Sequence, residues 1–565
     1  MPTITLNKSV LEKLVGRKLT LEQLKDRISM LGTDLEKIEG NEIVVEVFPN
    51  RPDMLSEQGF ARALSSFIGS KTGLRKYVVK RSGLKVVIDK SVTMRPYTMC
   101  ALVKNLTFTD ERIRELMQIQ EKLALTHGRN RKKSAYGIYP ADKITFPVTY
   151  IAQEPGNVLF KPLGFNEFIP AARVIEEHPK GKAYNHLTTG WTKFPFFIDA
   201  ADQVLCMLPF TNSEDTGKVD ETTKEVFIEC TGTDLNNVTI ALNIIVTMLA
   251  DMGGEIYSLE MVCPDKTITS PDLTPRKMKL NISSINQRLG LTLTEKQAGQ
   301  LLERMGYGYE QGSKNEKGLG KSTGLGKSTI LIPAYRADIL HQADLMEDIA
   351  IAYGYENFKE EIPNVATVGE EALSEKRARK VREILIGLGL LEVKNYHLAT
   401  KEELNGKMNL PEEKPAKIIP LKNALGDYNH LRNSLLPSLL KNLAENQHHE
   451  YPQNLFEIGR TFVPGGKTET GITETEKLGL VLSHEQADFT QIKQVVEALM
   501  RSLGLTATIK ESSHPSFIEG RMGKIVLNGK ERKEIGVIGE FHPQVLTNWG
   551  LAMPAVGAEI ELGLL

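Results

Sequence analysis

The sequence predicts a mixed α+β protein made of several domains. Its 565 residues are too many for a single hydrophobic core. A composition of 41% hydrophobic and 25% charged residues is that of an ordinary globular protein. Segments with helical spacing alternate with short strand-like runs and turns. These signals divide the chain into residues 1–85, 86–265, 270–357 and 358–565.

The first region begins with short strand and helix signals. Leucine and isoleucine recur at helical spacing after Thr20, which predicts a helix with Thr20 as its N-cap. A proline-bounded turn follows at 49–53, where Asn50, Arg51 and Asp53 have two interpretations. They could contact a ligand, or the turn could be a rigid corner in which the prolines fix the backbone.

The second region holds the densest polar loop chemistry. It contains the loop "LPFTNSEDTG" at 208–217, the strand "VFIECTGTD" at 226–234 and a predicted helix at about 238–252. Glu229 stands between two apolar neighbours in that strand. This carboxylate is therefore either on an exposed face or bound to something specific.

Residues 266–277 are interpreted as a linker to the third region, where paired short helices are predicted. An insertion at 312–329 carries the hexamer Gly-Leu-Gly-Lys-Ser-Thr twice. A phosphate-binding loop needs a glycine five residues before its Gly-Lys, but Asn315 and Lys321 occupy those positions. The insertion is therefore interpreted as a flexible loop and not as an ATP site.

An acidic helix closes the third region, within "RADILHQADLMEDIAIAYGY" at 336–355. Its four carboxylates are Asp338, Asp344, Glu347 and Asp348. A solvated polar face is one interpretation, and Asp338 could simply be an N-cap. Two features argue against a solvated face. An isoleucine projects into the acidic side of the helix, and no Lys or Arg lies four residues after one of the acidic residues to relieve their repulsion. Oxygen ligands without His or Cys suit Mg²⁺, which could take its remaining ligands from water or a partner chain.

Charge and cysteine usage restrict the function classes. Lys and Arg number 70 against 71 acids, so the basic run "HGRNRKKSAYG" at 127–137 does not by itself decide for nucleic acid. The four cysteines are scattered singly, which argues against a disulfide scaffold or a structural zinc site. The longest apolar stretch is too short to span a membrane. We expect a soluble, cytoplasmic protein.

Four segments together resemble one family. In chain order they are "PNRPDMLSEQGFARALSSFIG", "NSEDTGKVDETTKEVFIECTGTD", "YRADILHQADLMEDIAIAYGYENF" and "LRNSLLPSLLKNLAENQ" with "NLFEIGRTF". They closely resemble the phenylalanyl-tRNA synthetase β-subunit family, in the shorter form typical of archaea and the eukaryotic cytosol. The resemblance covers the whole chain apart from the Gly-Lys-Ser-Thr insertion.

The resemblance implies an α₂β₂ heterotetramer that binds tRNA(Phe). The α subunit would use ATP and phenylalanine for aminoacylation, so no aminoacylation residue is expected on this chain. It implies an editing domain at 86–265, a small helical or winged-type module at 270–357 and a catalytically inactive class II synthetase-like antiparallel sheet at 358–565. It also implies a magnesium ion shared with the α subunit, at the four carboxylates named above.

The last domain lacks the arginine pattern of an active class II site. Arg432 and Arg460 flank the segment that resembles the family, and Arg521 follows later. The glycine-rich strand-to-helix run that ends in arginine in active subunits is missing. We therefore interpret this domain as a degenerate copy that packs against the α subunit.

A second, hydrolytic site is expected on physical grounds. Tyrosine is phenylalanine plus one hydroxyl, and a hydrophobic pocket rejects such an addition only about a hundredfold. An editing site should instead demand the hydroxyl through a buried acceptor. The candidate acceptor is Glu229, with Thr231 on the same face of its strand.

The opposite wall of this predicted pocket comes from the polar loop, although the same residues are common turn formers. Its candidate residues are Cys206, Pro209, Asn212 and Ser213. No histidine is close in sequence to the cysteines, and only His178 and His186 lie in the same region. Hydrolysis by a water molecule, positioned by loop amides and a ribose hydroxyl of the substrate, is therefore favoured over a covalent intermediate.

Two other functions stay open from the sequence. One is a non-catalytic scaffold with an inactive editing pocket. The other is a free-standing Mg²⁺-dependent hydrolase or phosphotransferase, for which the sequence offers no general base or phosphate loop.

Overall fold

The computed structural model describes residues 2–311, 328–365, 367–413, 415–424, 426–529 and 532–565. The chain forms two compact units, residues 1–361 and 362–565. Both combine helices with sheets, so the predicted mixed α+β class is confirmed. Most of the tandem Gly-Leu-Gly-Lys-Ser-Thr insertion lies at 312–327, outside the described residues.

The first unit begins with a three-stranded sheet in the order β1-β3-β2, against which three helices pack. The elements are β1 (Thr3–Asn7), α1 (Lys8–Val15), α2 (Leu21–Met30), β2 (Asp34–Glu39), β3 (Glu42–Glu46) and α3 (Glu57–Phe67). Thr20 caps α2 as predicted, in a reciprocal capping box with Gln23. In the proline-bounded turn, Arg51 and Asp53 form a buried ion pair at 2.8 Å. The turn is therefore a rigid corner.

A large mixed sheet follows, in the order β12-β11-β10-β7-β4-β14-β5-β13-β6, with β15 paired to β14. Only β4 runs parallel to its neighbours, β7 and β14. The elements are β4 (Val79–Ile88), β5 (Tyr97–Lys104), α4 (Asp110–Leu125), β6 (Ser134–Pro140), β7 (Val148–Gln153), β8 (Leu159–Phe160), β9 (Ile169–Pro170), α5 (Ala171–Glu177), α6 (Pro179–Tyr184), β10 (Phe194–Ile198), β11 (Val204–Met207), β12 (Thr211–Asn212), α7 (Glu214–Gly217), β13 (Val226–Gly232), α8 (Leu235–Asp251), β14 (Glu255–Val262) and β15 (Thr267–Ser270).

Three expectations for this region need correction. The predicted division after residue 85 falls inside β4, which belongs to the large sheet. The predicted linker 266–277 contributes β15, because an extended edge segment can pair with β14. The helix α8 begins three residues earlier than predicted, where the Asp234 side chain accepts a hydrogen bond from the backbone N–H of Asn237.

The first unit ends with a small sheet in the order β16-β18-β17 and three helices. The elements are β16 (Arg276–Lys279), α9 (Ile282–Leu289), α10 (Glu295–Arg304), β17 (Gly308–Glu310), β18 (Thr329–Ile332) and α11 (Gln342–Tyr353). Helix α11 is the predicted acidic helix. Its N-cap is His341 and not Asp338, because the His341 ring accepts the backbone N–H of Ala343.

The second unit is built on a seven-stranded sheet in the order β19-β23-β24-β28-β27-β26-β25, antiparallel except for β19. A small sheet has the order β20-β22-β21. The elements are α12 (Leu373–Gly387), β19 (Leu391–Glu392), β20 (Leu398–Ala399), α13 (Lys401–Leu404), β21 (Ile419–Pro420), β22 (His430–Leu431), α14 (Leu436–Glu445), β23 (Gln453–Pro464), β24 (Ile472–Ser483), α15 (Phe489–Ser502), β25 (Ala507–Glu511), β26 (Phe517–Leu527), β27 (Lys533–Phe541), α16 (Pro543–Trp549) and β28 (Ala555–Glu561).

Helices cover both faces of this sheet. The helices α12 and α15 share a core with one face, while α14 packs against the other. Single 3₁₀ turns occur in both units, at Pro52–Met54, Ala141–Lys143, Pro155–Asn157, Asn185–Thr188, Tyr355–Asn357 and Leu562–Leu564. Among the described residues, no helix combines the length and apolar character needed to cross a membrane. All four cysteines are free thiols.

Candidate functional site

The two central residues of the predicted pocket lie on β13, between β5 and the edge strand β6 of the large sheet. Glu229 and Thr231 are fully buried and point to the same side of the strand. Glu229 stands opposite Cys100 on β5 and Gly137 on β6. A Cβ atom at Gly137 would lie 2.5 Å from Glu229 Oε1, so only glycine leaves room for this carboxyl group.

Tyr139 links Glu229 to the polar loop. Its hydroxyl lies 3.2 Å from Glu229 Oε1 and 3.2 Å from Asn212 Oδ1, so its single proton can be donated to either oxygen. Asn212 on β12 is paired with Cys206 on β11. The structure therefore brings Glu229, Asn212 and Cys206 together around a tyrosine that the sequence did not single out.

Burial controls the protonation of these groups. It raises the pKa of Glu229 to about 8, although Tyr139 and the nearby arginines Arg95 and Arg131 act in the opposite direction. Glu229 is therefore mostly a neutral acid at neutral pH. Burial also raises the pKa of Cys206, which keeps this residue a thiol and a poor nucleophile.

No imidazole bonds to Cys206 or Glu229 among the residues that the structure describes. His178 uses both ring nitrogens on the backbone, at 3.1 Å from the Leu163 carbonyl oxygen and 3.1 Å from the Lys180 N–H. His186 is exposed. A histidine-activated nucleophile has no support in this geometry.

Three buried polar atoms at this site lack a hydrogen-bond partner within the described part of the chain. They are Glu229 Oε2, Thr231 Oγ1 and Thr216 Oγ1. A buried polar group left unpaired costs about 1–3 kcal/mol. Such atoms are uncommon in a folded protein, and a ligand that bonds to them recovers this cost.

Arg95, which is buried, and Arg131, which is partly buried, fix the walls of the site. One Nη of Arg131 donates to the carbonyl oxygens of Pro209 and Phe210, each at 2.8 Å. Arg95 donates to the carbonyl oxygens of Thr231 at 2.9 Å and Arg131 at 3.0 Å. The sequence contained one signal for this arrangement, since Arg131 belongs to the basic run at 127–137.

Ser213 lies in the middle of the polar loop and is 3% exposed. Its N–H donates to the Leu205 carbonyl oxygen at 2.7 Å, which holds the loop against β11. The predicted loop residues thus form one wall, with Pro209 contributing its carbonyl oxygen and Ser213 its backbone.

Arg336 sits between the carboxylates of the acidic helix. It is 1% exposed and donates to both oxygens of Asp338, at 2.8 and 2.6 Å. It also donates to Asp348 at 2.8 Å, and the Tyr307 hydroxyl bonds to the same Asp348 oxygen. Burial would raise the pKa of Asp338, but Arg336 beside it lowers the pKa below its ordinary value.

The other two carboxylates point elsewhere. Asp344 accepts the backbone N–H groups of Leu340 and His341, each at 2.7 Å, as a helix cap. Glu347 is exposed and accepts from the Tyr355 hydroxyl at 2.8 Å.

The predicted magnesium ligands do not fit an ion as a set in this chain. Among the described residues, no three His, Cys, Asp or Glu side chains are arranged to hold a metal. A buried guanidinium instead supplies the positive charge that Asp338 and Asp348 require. The magnesium ion shared with a partner chain stays a prediction.

The three candidate arginines of the second unit each form an ion pair. Arg432 pairs with Glu457 at 2.7 Å, and both are essentially buried. Arg460 pairs with Glu474 at 3.2 Å, and Arg521 pairs with Glu540 at 2.7 Å. None of the three is left with an unpaired guanidinium that faces a common phosphate position.

Comparisons with known proteins show which family the chain resembles along its length. Residues 278–355 match the tRNA synthetase B5 domain, and residues 359–562 match the phenylalanyl tRNA synthetase beta chain CLM domain. The phenylalanine–tRNA ligase β subunit of Thermococcus kodakarensis is 38% identical over 100% of this chain and 98% of its own length. That of Archaeoglobus fulgidus is 39% identical, with the same coverage.

A solved structure covers much of the first unit. An N-terminal fragment of the phenylalanyl-tRNA synthetase β-subunit from Pyrococcus horikoshii is 38% identical, with a TM-score of 0.58. The match covers 63% of this chain and 100% of that fragment. Identity of this level over the full length leaves one conclusion: the chain belongs to the phenylalanine–tRNA ligase β-subunit family.

Proposed function

We propose that this chain assembles with an α subunit and tRNA(Phe), and that it hydrolyses mischarged Tyr-tRNA(Phe). The α subunit would join phenylalanine to the tRNA at the expense of ATP, within an α₂β₂ complex. The paired arginines of the second unit support a non-catalytic role for that part of the chain, because an unpaired arginine for ATP phosphate is lacking among Arg432, Arg460 and Arg521.

The unpartnered atoms Glu229 Oε2 and Thr231 Oγ1 carry the editing proposal. The phenol of a tyrosyl group can donate to Glu229 and accept from Thr231. A phenylalanyl group would enter the same space and leave both atoms unpaired, at a cost of about 1–3 kcal/mol for each. The site would therefore accept the wrong amino acid and reject the correct one.

Hydrolysis would proceed without a covalent enzyme intermediate. Neither Cys206, with its raised pKa, nor a histidine is prepared to act as a nucleophile. Glu229 and Tyr139 would orient the tyrosyl ring, while Arg131 holds the loop whose backbone surrounds the ester. A water molecule and a ribose hydroxyl of the substrate would complete the reaction.

One observation favours the alternative of a scaffold with an inactive pocket. Glu229 and Thr231 have no solvent exposure, so the covering side chains must move before a phenol can enter.

Hydrolysis of Tyr-tRNA(Phe) by the complex with the α subunit separates the two functions. We expect the wild-type complex to release tyrosine and Glu229→Ala to reduce that release strongly. Glu225→Ala removes a partly exposed carboxylate adjacent to the same strand and is the matched control. A wild-type complex that releases tyrosine no faster than buffer would establish the scaffold function and contradict editing.

A further inference from the structure

A left-handed turn at residues 129–131 stands out from the rest of the backbone. Arg129, Asn130 and Arg131 have φ values of 49°, 52° and 62°. Non-glycine residues visit this region singly, and each such residue costs roughly 1–2 kcal/mol. Strain of this kind persists where the surrounding structure enforces it, and it concentrates at functional sites.

The surrounding hydrogen bonds explain how the turn is held. The N–H of Asn130 donates to the Leu125 carbonyl oxygen and that of Arg131 to the Ala124 carbonyl oxygen, each at 3.1 Å. The turn thereby satisfies the end of α4 and directs Arg131 inward. The Arg131 guanidinium then bonds to the polar loop of the editing site.

The cationic residues next to Arg131 differ in exposure and in pairing. Arg129 and Lys132 are exposed and form no ion pair within the described residues. Lys133, by contrast, is paired with Asp234 at 3.1 Å. Two positive charges of this turn are thus exposed and without an ion-pair partner among the described residues.

A second pair of cations lies on the helix α6, whose last residue contacts Arg131. The Arg131 guanidinium stacks over the Tyr184 ring, with its carbon 4.6 Å from the ring centroid. Tyr184 ends the helix α6, and Lys180 and Lys182 on this helix are exposed. Neither lysine forms an ion pair with a described residue. The turn and α6, which meet through Arg131 and Tyr184, thus carry four exposed cations that form no ion pair with a described residue.

We propose that Arg129, Lys132, Lys180 and Lys182 form a phosphate-binding surface that holds the single-stranded 3′ end of an RNA beside Glu229. The identification of the ligand as RNA rests on the proposed editing function. The exposure of the four cations is a structural observation and does not depend on that function. A ribose–phosphate strand that passes the contact between Arg131 and Tyr184 would meet cations of both the turn and α6. The strained turn is then the element that connects strand binding to the loop that shapes the pocket.

Salt-dependent binding tests this surface without any hydrolysis. The probe is a fluorescein-labelled RNA hairpin with a single-stranded ACCA 3′ end that carries no amino acid. It is bound to the full chain in complex with its α subunit. Arg129→Gln with Lys132→Gln, and Lys180→Gln with Lys182→Gln, each remove two predicted phosphate contacts. Each double variant should make the slope of log affinity against log salt shallower by about 1.4, at about 0.7 for each contact.

Two further variants control for charge and folding. Arg17→Gln with Lys18→Gln removes one arginine and one lysine that are exposed and form no ion pair among the described residues, and the slope should not change. Arg129→Gly removes one cation while relieving the left-handed strain, so it should fold at least as well as wild type. Its slope should become shallower by about 0.7.

Slopes equal to wild type in both double variants would overturn the phosphate-binding surface. If that result accompanied loss of tyrosine release in Glu229→Ala, the editing function would stand without this surface. If the slopes became shallower although the complex released no tyrosine, the surface would stand and the editing function would fail.

Discussion

Thr231 carries a fully buried hydroxyl that has no hydrogen-bond partner among the described residues. Valine has nearly the same shape and lacks this group, so Thr231→Val should raise the free energy of unfolding by about 1 kcal/mol. In the complex the same change should slow tyrosine release about tenfold, because one hydrogen bond of about 1.4 kcal/mol to the phenol is lost. Urea unfolding and a deacylation assay measure the two effects.

A buried threonine with a partner serves as the control. The Thr461 hydroxyl donates to the Thr475 carbonyl oxygen at 3.3 Å, so Thr461→Val should destabilise. A destabilised Thr231→Val variant would mean that its hydroxyl is already satisfied in the folded chain.

Glu229 should make stability depend on pH. Its pKa of about 8 lies above the ordinary glutamate value, so between pH 4.5 and about 8 the folded chain holds a proton that the unfolded chain has released. Stability therefore falls as pH rises through this interval, by about 1.4 kcal/mol for each pH unit from this group. Glu229→Gln lacks the titration and should lose less stability between pH 5.5 and 8.

The difference between variant and wild type isolates Glu229. Other buried acids, such as Glu115 with its pKa raised to about 7, contribute equally to both proteins. Urea midpoints at the two pH values are the measurement, and Glu225→Gln is the control that should behave as wild type. Equal pH dependence in Glu229→Gln and wild type would refute a raised pKa at Glu229.

Residue patterns identified the side chains at the centre of the site but not the residues that hold them in position. Glu229 and Thr231 were recognisable because a carboxylate and a hydroxyl share one face of an otherwise apolar strand. Tyr139 and Arg131 were not, because their role depends on contacts 73 to 90 residues away in sequence. The basic run containing Arg131 was visible, but its inward turn depends on a left-handed backbone that no local pattern predicts.

Helix α11 depends on Arg336, which lies before the helix and supplies its positive charge. Replacing Arg336 by Met would leave Asp348 buried without its ion pair, and the expected loss is about 3–5 kcal/mol. Glu347→Gln affects an exposed carboxylate and should cost less than about 1 kcal/mol. Because Arg336 fills the role predicted for an ion, a metal chelator should leave the melting temperature of the isolated chain unchanged.

Thermal unfolding of the two variants, with and without chelator, measures these effects. A wild-type chain whose melting temperature falls on chelation would show that a bound cation contributes to α11 after all. The sequence placed this helix correctly from its periodicity. The spacing of charges within the helix does not reveal Arg336, because this residue lies before α11 and reaches Asp348 only in the folded chain.

Helix α14 should be sensitive to any added volume on β24. A Cβ atom at Gly479 would lie 2.9 Å from Leu435 Cβ and 2.9 Å from Leu439 Cδ1. Gly479→Ala should therefore destabilise the second unit by about 1–3 kcal/mol, measured by urea unfolding. Gly387→Ala is the control, because nothing lies within 4 Å of its added methyl group. An unchanged midpoint in Gly479→Ala would contradict the close packing of α14.

Elements with a clear period were predictable, and short edge strands were not. The helices α2, α8 and α11 follow from apolar spacing, and α2 also from its cap at Thr20. Strand β15 is four residues long and exists because β14 offers an unpaired edge. A local pattern contains no information about that neighbour.

At the scale of the whole molecule, the large sheet joins distant segments. The strand β4 at 79–88 runs parallel to β14 at 255–262, so about 170 residues separate neighbours in the sheet. No spacing rule reveals this pairing, and the division predicted after residue 85 is wrong for that reason. Glu229 lies on β13 of the same sheet, opposite Cys100 on β5 and Gly137 on β6, so its position also depends on pairings between segments far apart in sequence.

Discrimination between two esters is the property that this buried site would give to the complex. Tyrosyl and phenylalanyl groups differ by one hydroxyl. This hydroxyl is the group that would form hydrogen bonds with the unpartnered atoms of Glu229 and Thr231. One to two recovered hydrogen bonds correspond to a ratio of about ten- to a hundredfold.

The decisive measurement is the rate at which the complex with the α subunit releases each amino acid from Tyr-tRNA(Phe) and Phe-tRNA(Phe). We expect tyrosine to be released about ten- to a hundredfold faster than phenylalanine, and we expect Glu229→Ala to remove this preference. Equal rates for the two esters in the wild-type complex, or a preference that survives Glu229→Ala, would contradict a role for this site in editing.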